Sequence, residues 1–168
     1  MHRRRWLTVG LGAATLLALG GGFAALYEPG LRAGRLGVAG RLVFANFARA
    51  FLDGVLPAEP SRQAVAVDAF LGRVDQLVEA LPTHAQQELS QLLALLATPA
   101  GRRGLAGLTA HWPDASTEQL QSALQSMRTS SFALRQQAYH ALHDITGAAY
   151  FSDSSTWSVL GYPGPDAV

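Results

Sequence analysis

The sequence predicts an all-α protein, arranged as a small bundle of about five to six helices with an irregular Pro/Gly tail at the C-terminus. Apolar residues recur at intervals of three and four through most of the chain, with Pro and Gly between those stretches. β-branched residues never alternate with polar ones over the length of a strand. The chain after its first residues is long enough for one modest core, and without cysteine that core depends on packing within the chain or on packing against a partner.

An apolar leader helix is expected before the bundle. Arg3 and Arg4 are followed by Trp6 and Leu7, and then by a long stretch without charge. This layout is typical of a twin-arginine export leader, with Trp in place of the usual Phe. That route carries folded proteins across the bacterial inner membrane. The leader therefore predicts the twin-arginine translocase as a partner and a periplasmic or periplasm-facing location.

Two fates remain open for the leader. Gly22 and Ala24 offer a small-x-small cleavage site. The alternative is an uncleaved anchor with its arginines on the cytoplasmic side, which would make this a membrane-anchored helical periplasmic protein of unknown role. In both cases the leader contacts the membrane. The expected division is a signal or anchor over residues 1–27, a linker over 28–40 and a helical domain over 41–168.

The charge of the chain argues against nucleic acid as a partner. Its 13 basic residues are all arginine, against 12 acidic residues. Three of the arginines and none of the acids lie in the leader, which leaves ten basic against 12 acidic residues, a net charge of −2. The body of the protein is therefore slightly acidic and lacks the basic surface that nucleic acid requires.

The first two helices of the domain have clear ends. One is expected over residues 41–52, where apolar side chains follow helical spacing up to Asp53 and Gly54. The next is expected to begin with Ser61 as its cap and to end at Pro82.

Capping signals mark the helices that follow. Thr83 and Gln86 form a capping-box pattern, and Thr98-Pro99 starts a short helix that ends near Gly107. A second capping box comes at Ser116 and Gln119.

The last long helix is expected over residues 132–151, capped by Ser130 or Ser131. Beyond it, residues 157–160 form at most one helical turn, and the Pro/Gly-rich residues 161–165 cannot be helical. Such a tail has few backbone hydrogen bonds of its own. If Trp157 and Tyr162 are ordered, another surface must bury them.

Candidate chemistry is sparse, and we expect no catalytic, cofactor-binding or metal-binding residue in this chain. His140 and His143 lie one helical turn apart, with Asp144 beside them, but no third ligand is near in the sequence. They are interpreted as polar side chains that face solvent or a partner. An enzyme or metal binder that uses these histidines is the alternative.

Two further groups of charged residues have more than one interpretation. Asp68, Asp75 and Glu79 follow helical spacing and are interpreted as a solvated stripe, with a paired-carboxylate site as the alternative. Arg102 and Arg103 lie near the start of a short helix. They pair either with nearby acids of this chain or with acids of a partner, and the sequence leaves both options open.

The C-terminal part of the chain resembles the gluconate 2-dehydrogenase subunit 3-like family. The most specific segment is the ending, Trp157 followed by Leu160-Gly161-Tyr162-Pro163-Gly164-Pro165. The similarity includes residues 135–144 (Arg-Gln-Gln-Ala-Tyr-His-Ala-Leu-His-Asp) and Ala148-Ala149-Tyr150-Phe151, and extends to residues 52–57, 92–103 and 112–128.

The resemblance implies a non-catalytic small subunit that escorts, stabilises and exports a folded dehydrogenase of the glucose-methanol-choline type. FAD is then expected on the large flavoprotein subunit, which oxidises a sugar or alcohol, and a multihaem cytochrome c often accepts the electrons. This chain would bind no cofactor itself. The residues expected to contact the partner are Tyr150, Phe151, Trp157, Gly161, Tyr162, Pro163, Gly164 and Pro165.

Overall fold

The described part of the chain is mostly helical, as the sequence predicts. The structure is a computed structural model that describes residues 28–161, and these contain one two-stranded sheet besides the helices. The sheet pairs β1 (Leu31–Arg32) with β2 (Arg35–Leu36). The α-helices are α1 (Val38–Phe51), α2 (Pro60–Glu79), α3 (Thr83–Ala97), α4 (Pro99–Gly101), α5 (Thr117–Arg128) and α6 (Ala133–Phe151). Helix α4 continues directly into a π-helix (Arg102–Ala106), and a 3₁₀-helix (Ser154–Leu160) follows α6.

Helix α1 lies at the centre of the fold. It packs against α2, α3, α5 and α6, so it buries residues on more than one side. Phe44 and Phe47 are fully enclosed, and Val43 and Ala48 fill the space beside them. Small residues allow this close packing: a side chain at Gly40 would clash with the backbone oxygen of Gly30, 2.4 Å from the added Cβ. The core of the molecule is therefore arranged around a helix with little polar surface.

Residues 28–40, expected as a linker, instead hold an antiparallel hairpin and the first residues of α1. Ala33 and Gly34 both have positive φ (50° and 78°), the conformation of a type I′ hairpin turn. Leu31 and Leu36 point into the core from the two strands. The strands are too short for their alternation to register as a pattern in the sequence.

Asp75 fastens this hairpin to the helices. Its side chain lies in α2, is 4% exposed, and accepts a hydrogen bond from the backbone N–H of Leu36 at 2.7 Å. Its other oxygen pairs with Arg41 of α1, also at 2.7 Å. The interpretation of Asp68, Asp75 and Glu79 as a solvated stripe is therefore wrong for Asp75, because the hairpin covers it. Glu79 stays at the surface and pairs with Arg35 at 2.5 Å.

Two of the predicted helix starts are confirmed. The hydroxyl of Thr98 accepts from the N–H of Gly101 at 2.9 Å, with Pro99 in the first turn of α4. Ser116 and Gln119 form a full capping box at the start of α5. The predicted end near Gly107 is also confirmed, since that residue has φ +72° and follows the π-helix.

Three other predicted caps are wrong. Glu59, rather than Ser61, caps α2, and its carboxylate accepts from the N–H groups of Ser61 and Arg62. Thr83 does not cap α3, which begins there without a side-chain cap. Helix α6 also lacks a side-chain cap, and its N-cap residue is Phe132 instead of Ser130 or Ser131.

None of the helices within residues 28–161 is both long enough and apolar enough to cross a membrane. The leader, with its export signal Arg3, Arg4, Trp6 and Leu7, lies outside the described residues.

Candidate partner-binding surface

One stripe of α6 faces outward along most of the helix. It contains His140, Asp144, Gly147 and Phe151, which are spaced four, three and four residues apart and therefore share a face. All four are at least partly exposed, and the Phe151 side chain is exposed to 38%. A side chain at Gly147 would meet no atom within 4 Å, so the middle of the stripe is open to solvent. We call these four residues, together with Trp157, the α6 surface.

Aromatic contacts flank this surface on the side of α1. His143 packs edge-on against Phe51, with ring centroids 4.7 Å apart, and lies 5.5 Å from the ring of Tyr139. Phe51 in turn stacks on the buried Phe47 at 6.0 Å. The rings next to the α6 surface are thus fixed by contacts that lead into the core, which reduces the side-chain entropy lost when a partner binds.

A shallow apolar groove flanks the surface on the side of α2. It has a volume of about 210 Å³ and is lined by Leu77, Val78, Leu81, Asp144, Ile145 and Ala148. Apart from Asp144 at one edge, every lining residue is apolar. The sequence placed several of these residues on helix faces, but only the packing of α2 on α6 brings them together.

Arg73 of α2 holds the C-terminal end of α6 in place. Its Nε donates to the backbone oxygen of Ala149 at 2.8 Å, and its Nη1 pairs with Asp153 at 3.2 Å. Asp153 also accepts from the N–H and hydroxyl of Ser155. These two hydrogen bonds, and to a smaller extent the charge of Arg73, lower the pKa of Asp153 below its usual value.

The start of the tail is more regular than predicted. Instead of at most one turn over residues 157–160, the chain forms a 3₁₀-helix over Ser154–Leu160. The indole N–H of Trp157 donates to the backbone oxygen of Phe151 at 2.8 Å, and the ring stays partly exposed. The hydroxyl of Thr156 donates to the oxygens of Tyr150 and Asp153. These local hydrogen bonds order Trp157 within the chain itself.

The expected partner residues have different positions. Phe151 and Trp157 lie at the surface, and Gly161 is exposed with φ +68°. Tyr150 instead belongs to this chain's own core, where it is 7% exposed, and burial raises the pKa of its hydroxyl. A buried ring cannot contact a partner, so Tyr150 is removed from the expected interface. The remaining expected contacts, Tyr162, Pro163, Gly164 and Pro165, lie outside the described residues.

The two histidines have different surroundings. His143 is half-buried and has its Nδ1 3.1 Å from a carboxylate oxygen of Asp144, whereas His140 is exposed. Within residues 28–161, no group of three or more His, Asp or Glu side chains is placed to hold a metal ion. His140 belongs to the α6 surface, and His143 lies beside it against Phe51.

Three residues that shape the surroundings of the surface were not among the predicted contacts. Phe51 appeared in the sequence only as part of the apolar face of the first helix, and Leu77 only as part of the second. No local pattern in the sequence indicated the role of Arg73, because its partners lie 76 and 80 residues further along the chain. A single sequence does not encode such long-range pairs in any local pattern.

Comparison with protein-family models, with curated proteins and with solved structures gives no match. The resemblance of the C-terminal segment to the gluconate 2-dehydrogenase subunit 3-like family therefore stays a prediction.

Proposed function

We propose that the protein is a non-catalytic small subunit that escorts, stabilises and exports a folded FAD-dependent sugar or alcohol dehydrogenase of the glucose-methanol-choline type. The observation that carries the proposal is the position of its exposed aromatic residues. Phe151 ends α6 and Trp157 follows it six residues later, joined by the hydrogen bond from the Trp157 indole N–H to the Phe151 backbone oxygen, within the segment that resembles the family. Exposed aromatic side chains on a rigid support are typical of protein interfaces.

The chemistry of the α6 surface suits protein binding. Phe151 and Trp157 offer apolar area, while His140 and Asp144 offer polar groups at its edge. The groove beside Asp144 can accept an apolar side chain of a partner. Since Arg73 fixes the end of α6, these groups are presented by an ordered framework. In the proposal, the tail beyond Gly161 extends this contact through Tyr162 and Pro163.

The leader supplies the second half of the proposed role. A flavoprotein has to fold around FAD before export, and the twin-arginine route accepts folded cargo. A small subunit with the leader can then carry a large subunit that has none. In this arrangement FAD stays on the partner, a multihaem cytochrome c accepts its electrons, and both subunits face the periplasm.

The interface is tested by co-purification from the cells that naturally produce this chain. We expect the tagged wild-type chain to bring down a protein with flavin absorbance. The double substitution Phe151→Ala and Trp157→Ala should reduce the recovered flavin at least about tenfold, because interface aromatics commonly contribute more than 1 kcal/mol each.

Phe132→Ala is the matched control. Phe132 lies at the other end of α6 and is 70% exposed, so its loss removes the same kind of side chain outside the α6 surface. Flavin recovery should stay at the wild-type level in this variant. If the wild type, the double variant and Phe132→Ala all recover the same amount of flavin, the proposed interface is contradicted.

Export is tested with Arg3→Lys combined with Arg4→Lys. We expect the flavoprotein to accumulate in the cytoplasm of cells with this variant and to reach the periplasm in cells with the wild-type chain. Activity in the periplasmic fraction measures the difference. If the flavoprotein reaches the periplasm equally well with both chains, the escort role is wrong, even if the two proteins bind each other.

A further inference from the structure

Arg102 is the one buried arginine among those that the structure describes. It is the first residue of the π-helix and is only 3% exposed. Its neighbour Arg103 is exposed and serves as a natural comparison. Placing a guanidinium in the interior is unfavourable unless a counter-charge and hydrogen bonds replace the lost water.

The surroundings of Arg102 supply little of this compensation. Its Nη1 lies 3.5 Å from Nδ1 of His111, and its Nη2 donates to the backbone oxygen of Thr109 at 3.5 Å. Both contacts are at the long limit for a hydrogen bond. The buried Nε has no hydrogen-bond partner among the described residues.

No acid in the described part of the chain compensates the charge either. Within residues 28–161, Arg102 forms no ion pair with a carboxylate at 4.0 Å or less. Arg41 shows what a compensated arginine looks like in this protein, with Asp75 at 2.7 Å. Of the two options that the sequence left open for Arg102, pairing with a nearby acid of this chain is therefore not observed among the described residues.

We propose that Arg102, together with His111, forms a binding site for a single oxyanion, either a carboxylate or a phosphate. A guanidinium offers five N–H donors in a planar fork that matches the oxygens of such groups. Here only two of these nitrogens are engaged, and weakly. An oxyanion that replaces the long contact to His111 gains short, charge-assisted hydrogen bonds and neutralises the buried charge.

The local geometry allows a ligand to approach. In this proposal the oxyanion reaches Arg102 by way of His111, which is exposed and has its Nδ1 3.5 Å from Nη1 of Arg102. The π-helix is a second unusual feature at this position, since single π-turns are rare and occur frequently at functional sites.

The oxyanion has two sources that share this chemistry: a free anion, or an acidic side chain of another protein. The inference does not rest on the escort role, because the site is defined by Arg102 and not by the α6 surface. The test therefore uses a free anion and an acidic peptide as separate probes. Neither probe requires the flavoprotein.

The experiment measures the midpoint of thermal unfolding of the purified full chain with inorganic phosphate, with a hexaglutamate peptide, and with sodium chloride at matched ionic strength. We expect phosphate or the peptide to raise the midpoint by about 5 to 10 °C at about 100 times its Kd, relative to chloride. Arg102→Met should abolish this rise, while Arg103→Met should retain most of it. Without anions, Arg102→Met should unfold at the same temperature as the wild type or higher, because it removes an uncompensated buried charge.

The two probes distinguish the sources. A response to the peptide at lower concentration than to phosphate assigns the site to a protein carboxylate, and the reverse order assigns it to a free anion. Equal responses of the wild type and Arg102→Met to both probes overturn the proposal. An Arg102→Met chain that unfolds several degrees lower without anions also overturns it, since Arg102 would then be stabilised by its own contacts.

Discussion

At the scale of single residues, the buried charges show how strongly surroundings determine a role. Asp75 and Arg102 are both almost fully enclosed. Asp75 has two short hydrogen bonds, one to the backbone of Leu36 and one to Arg41, and it holds the hairpin on α1 and α2. Arg102 has only long contacts, which is why we assign it to ligand binding instead of to the stability of the fold.

Asp75→Asn should lower the free energy of unfolding by about 2 kcal/mol, because it removes a charge-assisted hydrogen bond from a buried group. Urea unfolding measures the change. Asp68→Asn is the matched control: Asp68 lies on the same helix, but its carboxylate is exposed and 4.0 Å from Arg41. This control should stay within about 0.5 kcal/mol of the wild type. Similar losses in the two variants would contradict the role assigned to Asp75.

At the scale of the elements, the helix starts separate into those with a side-chain cap and those without. Ser116 and Gln119 exchange hydrogen bonds with each other's backbone at the start of α5. Thr83 and Gln86 have the same spacing at the start of α3, yet the Gln86 side chain donates to the backbone oxygen of Leu81 at 3.0 Å. This contact lies in the turn between α2 and α3, and the N-cap of α3 is Pro82 rather than Thr83, so the conformation of the turn overrides the capping-box signal.

Ser116→Ala should therefore lower the free energy of unfolding by about 1 kcal/mol, since the N–H of Gln119 loses its acceptor. Thr83→Ala should change it by less than about 0.5 kcal/mol, because this side chain does not cap α3. Denaturant unfolding of the two variants compares the two helix starts directly. A larger loss in Thr83→Ala than in Ser116→Ala would show that the capping box forms at α3 after all.

At the scale of the whole molecule, α1 links the other elements into one unit. It contacts four other helices, and its aromatic residues Phe44 and Phe47 lie in the continuous core. The α6 surface depends on the same core, because Phe51 joins Phe47 to His143 beside it. Damage to α1 should therefore affect the whole described fold at once.

Phe44→Ala should lower the free energy of unfolding by about 3 to 5 kcal/mol. The substitution leaves a cavity in the core, and this cavity cannot close unless several helices move. We expect one cooperative transition, with circular dichroism and intrinsic fluorescence changing together. Phe132→Ala removes an exposed ring and should leave the transition almost unchanged. Separate transitions in the two signals would contradict the view of α1 as the centre of a single unit.

Local patterns in the sequence were enough to predict the helical class, most helix boundaries to within a few residues, and the caps at Thr98 and Ser116. Each depends on residues close together in the chain, where spacing and turn chemistry act directly. The hairpin at residues 31–36 was missed because two-residue strands are too short to show a period. The export leader and the family resemblance also come from the sequence alone.

Only the tertiary structure decided which side chains are buried and what they meet. Asp75 looked like part of a solvated stripe until the hairpin was seen to cover it, and Tyr150 looked like an interface residue until it was found in the core. The role of Arg102 was open because the sequence could not show whether an acid lies beside it. Burial and pairing arise from contacts between distant parts of the chain, and helical spacing specifies a face without specifying what packs against it.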